Sequence, residues 1–142
     1  VPAAPTPPAI AMTVTGSVAD RVIAPRARTE VGASAELSMT ARVPGDERPN
    51  FGLMIEQLHG VGITSVATHS DGTAATRQAD GSWRVSLSFP ELPLGSGEYV
   101  LSPFLFDSAG LVVYEERLGY FPFRVQFPIA MPGMVRLPHH WS

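Results

Sequence analysis

The chain has no cysteine and no lysine. Without cysteine there is no thiol catalysis, no zinc ribbon and no disulfide framework. The lack fits a reducing compartment, although many exported proteins share it. All ten basic residues are arginine, the formal net charge is −3, and no run of like charge exceeds two residues. The electrostatic footprint that nucleic acid requires is therefore missing. No apolar stretch is long enough to span a bilayer, so direct membrane insertion is not expected. There is no nucleophile elbow, no phosphate loop and no metal-ligand spacing. Neither an enzyme, a cofactor nor a metal is expected. Helical periodicity is also absent. Residues 19–31 hold one helical turn at most, because Pro25 interrupts them.

What remains is a β-rich pattern. A chain of 142 residues fits one domain. At that size folding buries roughly 70% of the unfolded surface, so no staple is needed. Fourteen prolines and thirteen glycines are scattered along the sequence, which suits many short strands and turns. Residues 1–10, VPAAPTPPAI, lack the charged start and apolar run of a signal peptide. They read as a stiff Pro/Ala linker, and the expectation is of a domain cut from a longer polypeptide. Residues 11–142 then form the domain.

From Ser34 to Val43 apolar and polar residues alternate, as in a strand with one wet face. Ser82 to Phe89 repeats the pattern, with Trp83, Val85 and Leu87 inward. Phe51–Leu58 and Tyr99–Phe106 differ. Their second faces carry Met54, Phe104 and Phe106. The first pair is expected to share one sheet and the second pair the other. The second sheet then shows an apolar outer face, which usually marks a contact surface. Tyr99 after Gly97 resembles the tyrosine of a sandwich corner. The predicted fold is all-β, an immunoglobulin-like (jelly-roll-like) antiparallel β-sandwich. Pro122 and Pro128 confine the aromatic strand Phe121–Phe127 to a sheet edge or end. After the spacer PIAMP comes a last short strand, Gly133–Leu137. Residues 129–142 are thus a candidate strand-exchange tail, since such exchange is a common route to dimers.

Several of these pieces resemble the C-terminal domain of Wzt. They are Phe51-Gly-Leu-Met-Ile55 with Gly60, Thr68-His-Ser-Asp-Gly72, Phe89-Pro-Glu-Leu-Pro-Leu94 running into Gly97-Glu-Tyr99, Asp107-Ser-Ala-Gly110, Phe123-Arg-Val125, and Gly133-Met-Val-Arg-Leu137 with Trp141. Wzt C-terminal domains are carbohydrate-binding modules attached to the ATPase subunit of O-antigen polysaccharide ABC transporters. The resemblance implies a non-catalytic β-sandwich that reads its polysaccharide on one sheet face, before or during export. It implies a homodimer whose C-terminal strand crosses to the partner. The implied partners are an ATPase domain in the same chain and its membrane subunit. The implied location is cytoplasmic, peripheral to the inner membrane. Related domains are also joined to glycosyltransferases or methyltransferases, so an accessory role in a glycan-modifying enzyme stays open. So does a purely protein-binding module.

The candidate ligand-binding residues gather around the greasy face. Phe104 and Phe106 offer rings on which the C–H face of a sugar can pack. The competing reading covers them with the tail or a dimer partner. Met54, Glu56, Ser102, Tyr114 and Glu116 lie on neighbouring strands and supply acceptors and donors for hydroxyls. A one-residue slip in 111–117 would exchange Tyr114 and Glu116 for Val113 and Glu115. His69 precedes the Asp71-Gly72 turn and either fixes that turn or touches glycan. Arg117, with Tyr120, is placed at a rim. His139-His140 does not make a zinc site, because strand neighbours point to opposite faces and no carboxylate is near. Glu115-Glu116 fails as a catalytic pair for the same reason.

Overall fold

The computed structural model describes residues 11–19, 33–126 and 131–142. The expected linker, the interrupted helical turn beyond Ala19, and residues 127–130, the end of the aromatic strand and the start of the spacer, lie outside them. The described residues form nine strands: β1 (Ala11–Ala19), β2 (Ala33–Arg42), β3 (Asn50–Gln57), β4 (Gly62–Ala67), β5 (Thr76–Arg77), β6 (Trp83–Leu92), β7 (Gly97–Phe106), β8 (Val113–Glu116) and β9 (Phe121–Val125). They make two antiparallel sheets. One has the order β1-β2-β6-β5, the other β4-β3-β7-β8, with β9 also paired to β7. The fold is the expected all-β sandwich, and both strand pairs fall in the sheets that their outer faces indicated.

Alternation explains the core. Ala35, Leu37, Met39 and Ala41 of β2 are buried, as are Phe51, Leu53 and Ile55 of β3. Trp83 lies with them, and Val85, Leu87 and Phe89 pack against the cluster. β1 was not anticipated. Its Met12 and Val14 are buried between exposed Thr13 and Thr15, the same period of two in a shorter run. The polar loop after Asp71 also holds a short strand, β5, paired with the start of β6.

The corner forms as its sequence suggested. The Tyr99 hydroxyl donates to the Gly95 carbonyl at 2.7 Å, and the ring stacks on Phe123 at 5.5 Å. Burial raises the Tyr99 pKa above its ordinary value of 10.0. β7 is the shared strand of the second sheet. β8 pairs with residues 104–106 and β9 with residues 97–101. Pro103 falls between the two, so its missing N–H removes no ladder bond. Its carbonyl accepts from the Arg117 amide at 3.0 Å, which steers the chain from β8 toward β9.

The tail is less regular than a strand. Val135 bridges Leu94, with Gly95 N donating to Met134 O at 2.8 Å and Arg136 N to Pro93 O at 2.6 Å. Gly95 is required there, because an added Cβ would sit 2.5 Å from the Gly133 carbonyl oxygen.

Candidate functional site

The outer face of the second sheet divides into two halves along β7. At one end Ser102 is completely buried. Its hydroxyl donates to Glu56 Oε1 at 3.2 Å and accepts from Gly119 N at 2.9 Å. The turn after β8 therefore closes this half, and the Ser102 hydroxyl is spent on Glu56 and on that turn.

The other half is open. Phe104 and Phe106, two apart on β7, point outward with centroids 6.0 Å apart and ring planes only 12° from parallel. Both are half-buried. Phe104 stands opposite Gly52 of β3. A Cβ at Gly52 would lie 2.8 Å from Phe106 Cε2 and 3.2 Å from the Val66 carbonyl oxygen. Only glycine lets the Phe106 ring settle across β3. His69 extends the row. Its ring meets Phe106 edge-on at 5.2 Å. Its other side rests on Gly110, where a Cβ would come within 2.6 Å of His69 Cδ2. Gly110 also has φ +74, a conformation that favours glycine. Met54, Ser65 and Val113 complete a shallow groove of about 390 Å³.

Of the residues chosen from the sequence, Met54, His69, Phe104 and Phe106 thus line one groove. Glu116 faces outward beside it, opposite Phe104. The others lie elsewhere. A bulge between Leu105 and Phe106 sets Glu116 opposite Phe104 but Val113 opposite Phe106. Neither expected register of 111–117 is complete, and Tyr114 packs against the core. Arg117 leaves the face as well. Its guanidinium donates to the Met12 carbonyl of β1 and pairs with Glu115 Oε1 at 3.1 Å, tying the two sheets together. It also lies over the Tyr120 ring at 5.4 Å.

Gly52 and Gly110 were missed as parts of the site, and Val113 entered only through the alternative register. A glycine inside a strand signals close approach by another group, and Gly52 carried that signal. The hairpin tip is fixed by Asp107, whose Oδ1 accepts from Val112 N at 3.0 Å and Leu111 N at 2.7 Å. The bond from Val112, with others from nearby amides, holds its carboxyl below the ordinary 3.8. Among the described residues no three His, Asp or Glu side chains converge as a metal site.

An open row of aromatic rings flanked by polar groups is uncovered apolar surface of the kind that marks a contact face. The profile of the Wzt C-terminal domain matches residues 17–137. The chain belongs to the Wzt C-terminal domain family. It is a non-catalytic, carbohydrate-binding module of a Wzt-type ABC transporter for polysaccharide export. A solved structure, the crystal structure of the C-terminal domain of wzt, has the same fold. Its TM-score is 0.63 at 15% identity, covering 96% of this chain and 89% of that one. No curated protein matches the sequence. No helix among the described residues is long and apolar enough to cross a membrane.

Proposed function

We propose that this Wzt C-terminal domain holds its polysaccharide, of the O-antigen type, on the open half of the second sheet. The observation that carries the reading is the ring row Phe104–Phe106–His69, held by two glycines that leave no room for a side chain. The hydrophobic face of a sugar packs on the rings, and Glu116 at the margin accepts from hydroxyls. Glu56, Ser102, Tyr114 and Arg117 act behind this surface, in the sheet and turn that support it. A shallow groove desolvates little of a sugar, so each site binds weakly.

Weak sites gain from duplication, and the tail supports a homodimer. Val135, Leu137 and Trp141 stay exposed, Trp141 by 91%, on a segment that meets its own fold at the Val135–Leu94 bridge and through Met134. In the dimer the strand around Val135 crosses to the partner, within residues 129–142. The transporter's ATPase precedes the domain in the same polypeptide and docks with the membrane subunit, placing this module on the cytoplasmic side of the inner membrane.

Titration with lipid-free O-polysaccharide from the source bacterium tests the site. Phe104→Ala and Phe106→Ala should each weaken binding about tenfold, as loss of an anchor does. No binding by the wild-type domain would remove the O-antigen assignment. Normal binding by both variants would remove the groove. Light scattering of the domain with and without residues 131–142 reads the dimer, and equal masses would refute the exchange.

A further inference from the structure

A second depression meets the first at His69. It lies at the end of the sandwich, between the loops that lead into β3, follow β4 and join β7 to β8. Its volume is about 530 Å³, and its walls include Glu47, Arg48, Asn50, His69, Thr73 and Ser108. His69 lines both hollows. The two differ in chemistry. The first is walled by Met54, Phe104, Phe106 and Val113, the second by charged and hydroxyl groups.

The polar hollow is preformed. Asn50, only 8% exposed, is its floor. Its Nδ2 donates to the carbonyls of Asp107 and Ser108, each at 3.0 Å, and its Oδ1 accepts from the Thr68 hydroxyl at 2.8 Å. Thr68 Oγ1 in turn accepts from Phe51 N at 3.0 Å. One buried, satisfied network therefore fixes all three loops. The walls are held too. Ser108 Oγ donates to Glu47 Oε2 at 2.7 Å. The Arg48 guanidinium lies over Trp83, 5.5 Å from the ring centroid, a contact that restrains it without using its N–H groups. Glu47 offers acceptor capacity, Arg48 donors, and Thr73 both. That mixture suits a neutral polyol, whose hydroxyls need donors and acceptors together. A cleft for a bare anion would not place Glu47 beside Arg48.

We propose that the polar hollow is a second sugar subsite, so that the domain reads an oligosaccharide of at least two residues laid across His69. One residue stacks on Phe104 and Phe106. Its neighbour enters the hollow and exchanges hydrogen bonds with Glu47, Arg48 and Thr73. His69 stands under the glycosidic link between them. The inference rests on the platform reading above and adds the length and polarity of the recognised unit. A preorganised polar subsite gives selectivity, because a wrong neighbour leaves its groups unpaired.

The test uses the 142-residue chain and lipid-free O-polysaccharide from the source bacterium, cut by partial acid hydrolysis and separated by length. Affinities come from amide-shift titrations. Going from single sugars to the shortest fragments that span both hollows should raise affinity about tenfold. Thr73→Trp, which fills the polar hollow from an exposed position, should remove that gain. Arg48→Ala should do the same more weakly, and thermal melts report whether either variant is folded. If fragments of every length bind alike, or Thr73→Trp binds long fragments normally, the second subsite is wrong and the platform stands. If wild type binds no fragment but both hollows stay folded, platform and subsite fall together.

Discussion

The two sheets follow one backbone plan and differ in what they turn outward. On the first, Glu36, Ser38 and Thr40 of β2 stand opposite Ser88, Ser86 and Arg84 of β6. Arg84 Nε donates to Ser38 Oγ at 3.0 Å, so polar side chains satisfy one another or water. On the second, Gly52 stands opposite Phe104 and Met54 opposite Ser102. There a missing side chain on β3 makes room for the rings of β7. The same strand also shows that an outward position is not always an open one. Ser102 is outward and fully buried, two residues from the half-exposed Phe104. What makes a binding face is outward apolar surface that the chain itself leaves uncovered.

Neighbouring residues on opposite faces of β7 offer the sharpest break. Leu105 is fully buried between the sheets. Leu105→Ala should cost about 2–5 kcal/mol of stability, through lost transfer energy and the cavity left behind. Phe104→Ala, one residue away, should cost about 1 kcal/mol while removing most of the glycan affinity. Urea unfolding paired with titration separates the two. Similar stability losses at both positions would mean that Phe104 is a core residue.

Gly52 gives the next largest effect. The methyl of Gly52→Ala meets the movable Phe106 ring at 2.8 Å and the backbone oxygen of Val66 at 3.2 Å. Overpacking of this kind costs about 1–3 kcal/mol. The ring has to swing off β3, so sugar binding should fall along with it. On the first sheet Ser38→Ala, also at a cross-strand position, should change stability by less than about 0.5 kcal/mol. Retained binding in Gly52→Ala would show that the ring row need not lie across the strand.

The sheet assignment was legible because a period of two separates faces, and the composition of each outer face was written in β2, β3, β6 and β7. The corner was legible from Gly97 and Tyr99. The site was legible in its rings and only partly in its polar groups. Glu56 and Ser102 have the right phase, but the turn at Gly119 closes over them, and a turn 17 residues beyond Ser102 leaves no mark on β3 or β7. Tyr114 and Glu116 are separated by a bulge, which shifts phase with no glycine or proline to announce it. Arg117 carries a charge that suits a rim, yet its long stem reaches β1, a strand recognisable only by Met12 and Val14. Each failure lies where a contact distant in sequence overrides a local pattern.

The smallest effect concerns two acidic turns, one on each sheet. Asp107 closes the β7–β8 hairpin, which holds Gly110 against His69. Asp80 closes the turn before β6, where the Ser82 hydroxyl and amide bind it and lower its pKa, with Arg42 adding a salt bridge at 2.9 Å. Both carboxyls titrate below the ordinary 3.8 in the folded chain, so the unfolded chain takes up the proton first. Their stabilisation is complete above that value and fades as pH falls through the folded-state pKa. Asp80 is solvent-exposed and Asp107 partly so, and the fading is slight. Asp107→Asn and Asp80→Asn should each flatten the acid side of a plot of Tm against pH. Only Asp107→Asn should also weaken sugar binding at neutral pH, because only that turn supports the ring row. An equal loss of binding from Asp80→Asn would mean that the two sheets do not divide structure from recognition.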